Sequence, residues 1–213
     1  MPAPRLKICG LRHIQQARAI AERGVDAIGV IGVAGSPRHL EPAQRKPLFD
    51  AVRQISPACL GVLVVADPDD GDLPLLAADN GHQVLQLHGN ESPERCKALK
   101  ERLGLRLWKA LRIREASDLQ RAWDFEGAVD ALLLDAWVPD QLGGTGHRLP
   151  LEWLEPFAPP LPWWLAGGLK PQVIREVLQR VSPSGLDVSS GVEDAPGEKN
   201  LEQVDALIRT IRE

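Results

Sequence analysis

Val84-Leu85-Gln86-Leu87-His88-Gly89-Asn90-Glu91-Ser92-Pro93-Glu94 is the stretch that decides the fold. It begins with a run too short and too apolar for a strand with one face in water; such runs belong to parallel sheets covered on both sides. His88 and Gly89 end the run. Pro93 then falls in the first turn of a helical pattern, where its missing N–H has no intrahelical acceptor. Over 94–102 the pattern puts Cys96 and Leu99 on one face, with Leu103 nearby. Strand, short loop and amphipathic helix in one piece make a βα unit.

Working outward, the same alternation recurs eight times without a compositional break. Strands are predicted over 6–9, 27–33, 60–65, 84–87, 106–111, 131–135, 163–166 and 185–188. A helix over 14–22 aligns Ile14, Ala17, Ile20 and Ala21 on one face, and Pro42 and Pro171 mark the first turns of the second and seventh helical patterns. Eight parallel strands with eight crossovers close most simply into an α/β (β/α)8 TIM barrel. A length of 213 residues lies near the small end of that fold. One compact domain over 1–213 is expected. A doubly wound open sheet would place G-x-G-x-x-G after the first strand, where only Cys9-Gly10-Leu11 stands.

Composition excludes several classes. Hydrophobic residues make up 44% and charged residues 25%, as in an ordinary globular protein. No run is long enough to span a bilayer, and residues 1–7 lack the apolar core of a secretory signal, so no membrane partner and a cytoplasmic location are expected. The net charge of −4, with no basic stripe interleaved with aromatics, argues against a nucleic-acid partner. Cys9, Cys59 and Cys96 form no C-x-x-C pair, and the five histidines show no ligand spacing. Reduced thiols, no metal and no cofactor are the expectation. Charged helix faces favour a monomer over a homodimer.

In such a barrel, chemistry belongs at the carboxyl ends of the strands. Cys9 ends the first, between Lys7 and Arg12, and nearby cations favour a thiolate; the plainer reading is a buried small hydrophobe. Asp135 follows Leu132-Leu133-Leu134, so partial desolvation would raise its pKa and suit it to donate a proton; capping a helix is its alternative. Arg38, in Ser36-Pro37-Arg38, offers a planar fork to a carboxylate, or is a solvated loop charge. Gly167-Gly168 and Ser189-Ser190-Gly191 follow the last two strands, where a phosphate cradle forms in this fold, or they make tight turns.

Six stretches in register carry a resemblance to the phosphoribosylanthranilate isomerase family of tryptophan biosynthesis. They are Lys7-Ile8-Cys9-Gly10, Ser36-Pro37-Arg38, Leu85-Gln86-Leu87-His88-Gly89-Asn90-Glu91, Gly143-Gly144-Thr145-Gly146, Leu165-Ala166-Gly167-Gly168-Leu169 and Asp187-Val188-Ser189-Ser190-Gly191-Val192-Glu193. The resemblance implies an aldose–ketose isomerase that needs no cofactor. Its reaction would be an Amadori rearrangement of N-(5-phosphoribosyl)anthranilate to 1-(2-carboxyphenylamino)-1-deoxyribulose 5-phosphate. It implies Cys9 as general base, Asp135 as general acid and Arg38 on the anthranilate carboxylate. Gly167, Gly168, Ser189, Ser190 and Gly191 would hold the phosphate. Asp187 would orient a sugar hydroxyl or the thiol, and Gly144 would also meet the substrate. His88 would have a supporting role there, or be a satisfied strand-end histidine.

One departure stands out. Where the family carries an aromatic residue before Ser-Pro-Arg, this chain reads Gly32-Val33-Ala34-Gly35, and it has no tyrosine. Ring contacts would then fall to tryptophans, with Trp137 the candidate in the loop after Asp135, while Trp163 and Trp164 suit strand packing. The histidine-pathway isomerase runs the same chemistry on two aspartates near strands one and five, but strand five here has no acid before Glu115. A catalytically silent phosphate-binding barrel would have lost the base and acid, and Cys9 and Asp135 are both present.

Overall fold

The computed structural model describes residues 3–136 and 148–212. In chain order the elements are β1 (Arg5–Cys9), α1 (Ile14–Glu22), β2 (Ala27–Ile31), α2 (Pro42–Ile55), β3 (Leu60–Val65), α3 (Leu73–Leu76), β4 (Val84–Leu87), α4 (Pro93–Leu103), β5 (Arg106–Ile113), β6 (Ala131–Ala136), α5 (Leu151–Leu154), β7 (Trp163–Leu165), α6 (Pro171–Arg180), β8 (Gly185–Val188), a small hairpin of β9 (Glu193–Ala195) and β10 (Glu198–Lys199), and α7 (Leu201–Arg212). Strands β1 to β8 pair in parallel with their neighbours, and β8 returns to β1, closing the barrel. All eight predicted strands are present. Prolines 42, 93 and 171 open α2, α4 and α6. Ser92 Oγ caps α4 by accepting the Arg95 N–H at 3.2 Å.

Three crossovers depart from the predicted alternation. Between β3 and β4 there is only the single turn α3 and a 3-10 turn at Ala78–Asn80. The preceding Asp69 carboxylate accepts the N–H groups of Gly71 and Asp72, local bonds that compete with a helix. Between β5 and β6 the chain forms a 3-10 segment, Ala116–Phe125, that still buries Leu119, Ala122 and Phe125. Before β7 the described helix is the four-residue α5.

Strand alternation divides the core into two layers. Ile8, Ile28, Leu63, Leu85, Leu107, Leu132 and Leu186 face outward against Ile20, Leu48, Leu99, Ile174 and Leu207 of the helices. Inside lie Val62, Val64, Val84, Leu133 and two stacked tryptophans, Trp108 and Trp164, with ring centroids 4.7 Å apart. Trp164 lies where a Cβ on Gly185 would be, so glycine is the side chain that leaves room for the indole. Toward the carboxyl ends the inward positions change character. Lys7, Cys9, Gln86, Asp135 and Asp187 are all buried there.

A buried ion pair lies on the outer side of the barrel wall. Lys109 Nζ, on the outer face of β5, bonds Glu91 Oε2 and the carbonyls of Gly89 and Ala110, each at 2.9 Å. Glu91 Oε1 accepts the N–H groups of Asp67 and Gly89 at 2.7 and 3.2 Å. These bonds tie the loops after β3 and β4 to β5, fixing the mouth of the barrel. Among the described residues no helix is long and apolar enough to cross a membrane.

Gly185→Ala forces a methyl group against the Trp164 ring, and overpacking of this kind costs about 1–3 kcal/mol. Urea denaturation should show that loss; an unchanged midpoint would mean that the tryptophan pair has room to move.

Candidate active site

A cavity of about 540 Å³ opens at the carboxyl ends of the strands. Cys9, Arg38, Gln86, His88, Asp135 and Asp187 line it, together with the glycine loops after β7 and β8. β1 and β8 pair with Lys7 opposite Asp187, and Gln86 on the inward face of β4 is followed two residues later by His88, just past the end of that strand. The barrel thus converges these groups from strands far apart in sequence.

Lys7 is at the centre. It is fully buried, and its ammonium donates to Asp187 Oδ2 at 2.9 Å, Gln86 Oε1 at 2.9 Å and Cys9 Sγ at 3.2 Å. Burial alone would lower its pKa, but the Asp187 carboxylate and Cys9 outweigh that, and Lys7 ends above its ordinary value. Gly29 on β2 leaves room for this group, since a Cβ there would lie 2.5 Å from Cys9 Sγ and 2.9 Å from Lys7 Cε.

The thiol corrects one expectation. Two flanking cations were to favour its thiolate, but only Lys7 reaches it; Arg12 is exposed and its guanidinium is 3.5 Å from the Pro37 carbonyl. Burial and then the Asp187 charge raise the Cys9 pKa more than Lys7 lowers it. At rest Cys9 is a thiol beside an ammonium that would stabilise its anion once formed. Cys59 and Cys96 are pushed up to about 12, chiefly by burial, and lie outside the cavity.

Asp135, at the end of β6, is buried, with its Oδ2 3.6 Å from His88 Nε2. Its place inside a strand rules out the helix-capping alternative. Among the described residues, two polar atoms at this site have no hydrogen-bond partner, His88 Nε2 and Asp187 Oδ1. Buried polar atoms are normally satisfied, so these two mark where a ligand's groups would enter.

Arg38 is neither a solvated charge nor a free fork. Its Nε and Nη2 bond both oxygens of Glu193 at 2.6–3.1 Å. Lys199 bonds the same carboxylate. Burial pushes the Glu193 carboxyl up, but Arg38 and Lys199 together hold it below the ordinary range. Gly10, at φ +80°, makes way for the arginine, because a Cβ there would meet Arg38 Cδ at 2.6 Å.

Of the proposed phosphate residues, Gly167, Gly168, Ser189 and Ser190 line the cavity and Gly191 does not. Gly167 and Gly168 adopt φ of +82° and +61°, a conformation open to glycine at no steric cost. Gly191 is packed so tightly on the Leu169 carbonyl that a Cβ would overlap it; it joins the two loops rather than facing the cavity. The Ser189 hydroxyl donates to the Cys9 carbonyl at 3.0 Å, so its one proton is unavailable to an anion. Gly144 and Trp137 lie outside the described residues. Among the described residues the cavity's apolar lining is aliphatic: Ile31, Val33, Val64, Ala166 and Leu169, with Pro37 and Pro196.

Over residues 6–210 the chain matches the family model described as N-(5'-phosphoribosyl)anthranilate (PRA) isomerase. It is 46% identical over 208 residues to the N-(5'-phosphoribosyl)anthranilate isomerase of Synechococcus elongatus, covering 97% of this chain and 95% of that one. The chain belongs to this family. The phosphoribosyl anthranilate isomerase of Thermus thermophilus superposes with a TM-score of 0.84 at 33% identity over 98% of both chains. Another solved phosphoribosyl anthranilate isomerase, in complex with reduced 1-(o-carboxyphenylamino)-1-deoxyribulose 5-phosphate, gives 0.81 at 27% identity, again over 98% of both.

For a PRA isomerase family member, three site residues carried no assigned role in the sequence analysis, Gln86, Glu193 and Lys199, and Lys7 entered only as a cation beside Cys9. Lys7 and Gln86 had a signal, each being a polar residue within an apolar run. Glu193 closes one of the resembling stretches but, like Lys199, had no periodic signal, because the hairpin that buries them is not periodic.

A raised Cys9 pKa means that the thiolate fraction grows as pH rises toward it. Iodoacetamide modification of Cys9 should therefore still be climbing at pH 9. The slope should move to lower pH in Asp187→Asn, which removes a charge opposing the thiolate. A plateau below neutrality in the parent would contradict the balance of charges described.

Proposed function

We propose that this isomerase carries out the Amadori rearrangement of N-(5'-phosphoribosyl)anthranilate to 1-(2-carboxyphenylamino)-1-deoxyribulose 5-phosphate by general acid and base catalysis. The observation that carries the proposal is that Cys9 and Asp135, from β1 and β6, line one cavity with Arg38 and the paired glycine loops. A base, an acid, a cation and a backbone cradle are what this substrate requires.

Asp135 gives its proton to the furanose ring oxygen as the ring opens to a Schiff base. Cys9, once its thiol has given its proton to solvent, removes the C2 proton as thiolate, and the enolamine becomes the ketone as its C2 hydroxyl loses a proton and C1 gains one. Lys7, 3.2 Å from Sγ, stabilises the thiolate by charge and hydrogen bond. Asp187 Oδ1 is free to accept from a sugar hydroxyl. Arg38, held along one edge by Glu193, turns its remaining donors to the anthranilate carboxylate, and the aliphatic lining takes the ring. Backbone N–H groups around Gly167, Gly168 and Ser190 hold the phosphate.

The purified protein should quench the anthranilate fluorescence of freshly made substrate faster than the uncatalysed reaction. Cys9→Ser and Asp135→Asn should each lower kcat by about 10²–10⁴, the usual worth of a positioned acid or base. Parental rates in either variant would end that residue's role.

Glu193→Gln takes a charged acceptor from Arg38, and a charge-assisted bond of this kind is worth about 1.5–3 kcal/mol. If Arg38 binds the ground-state carboxylate, KM should rise about tenfold or more with kcat little changed; a drop confined to kcat would move Arg38 from binding to chemistry.

A further inference from the structure

His88 combines a buried Nε2, without a hydrogen-bond partner among the described residues, with a neighbouring carboxyl group just beyond hydrogen-bond length, and the network around it dictates which ring nitrogen carries the proton. Lys7 Nζ can only donate, so the Gln86 amide oxygen must face it, as the 2.9 Å contact requires. The Gln86 NH₂ group is then turned to His88 Nδ1, 3.4 Å away. A nitrogen that receives a donor cannot itself be one. The neutral ring therefore carries its proton on Nε2, the atom 3.6 Å from Asp135 Oδ2. Gln86 and Lys7 are 1% and 0% exposed, and the opposite amide orientation would set the NH₂ group against an ammonium that can only donate.

We propose that Gln86 is a positioning residue: held by Lys7, it locks His88 in the Nε2–H form, which meets the charge that forms on Asp135. This rests on Asp135 being the acid of the proposed mechanism. The Asp135 proton passes to the substrate's ring oxygen, and the carboxylate left behind shortens its contact to the Nε2–H. No proton leaves His88. A bond slack in the resting enzyme and tight once charge has formed favours the transition state over the ground state.

Gln86→Glu tests this with little change of shape. The new carboxylate still accepts from Lys7 but has no hydrogen to offer, so Nδ1 becomes the donor and, in the neutral ring, Nε2 turns a lone pair to Asp135; a ring protonated on both nitrogens would keep Nε2–H, and a loss of about 100-fold in kcat in that state would overturn the proposal. Long-range ¹H–¹⁵N correlation spectra of histidine-labelled protein, with His88 assigned by its loss in His88→Asn, should show Nε2–H in the parent. They should show Nδ1–H in Gln86→Glu. The variant's kcat should fall about 100-fold, the cost of losing one preorganised donor, with KM within about threefold.

In an Asp135→Asn background the same change should cost little more. An Nδ1–H ring in the unsubstituted protein would overturn the proposal without need of any variant. So would a switched tautomer that leaves kcat intact, or a full further loss in the Asp135→Asn background. Parental activity in Asp135→Asn alone would instead remove the acid, while the tautomer spectrum still decides what Gln86 does.

Discussion

An ammonium without water on the axis of the barrel is the constraint from which the rest follows. Lys7 must find acceptors inside the protein, because an unpaired buried charge would cost several kcal/mol. Asp187 supplies the countercharge from the strand closing the barrel, Gln86 an amide oxygen from β4, and Cys9 a sulfur from its own strand. One side chain thereby fixes one group on each of three strands. Glycine at 29 and the Trp108–Trp164 stack then read as consequences, the first making room beside the lysine, the second filling the interior with apolar bulk.

Burial, and after it the Asp187 charge, set the character of the thiol. Together they raise its pKa more than Lys7 lowers it, so Cys9 is protonated at rest with an ammonium beside it that would stabilise its anion. Arg38 is treated in a like manner. Glu193 holds its Nε and Nη2, Lys199 offsets the extra negative charge, and Gly10 clears its path. Each charge that would face the substrate is tied on its far side to the scaffold, which lowers the entropy lost when it binds.

Much of this was legible in the residues. Short, doubly apolar runs such as Leu60–Val65 can only be interior parallel strands, and their ends placed Cys9, Asp135 and the glycine pairs at one mouth. What pattern could not give was the partner of each charge. Lys7 and Asp187 are 180 residues apart in sequence, and their contact exists only after closure of the sheet. The Glu193 clamp depends on the β9–β10 hairpin, whose few residues have no hydrophobic period. Helical crossovers were over-read where aspartates, as at Asp69, satisfy the backbone locally.

The loose ends are as informative as the bonds. Among the described residues, His88 Nε2 and Asp187 Oδ1 lie buried without hydrogen-bond partners, and such atoms cost stability that a purely structural design would recover by repacking. They stand in the same cavity, one beside the β6 carboxyl group and the other on the strand that pairs with β1. Under the proposed reaction, a ligand that opens a ring near the first while losing a C–H proton near the second would satisfy both as it reacts. Stability given up at rest would then be regained in part by substrate and in full only along the reaction path, the condition under which a static barrel distinguishes a transition state from the molecule that enters it.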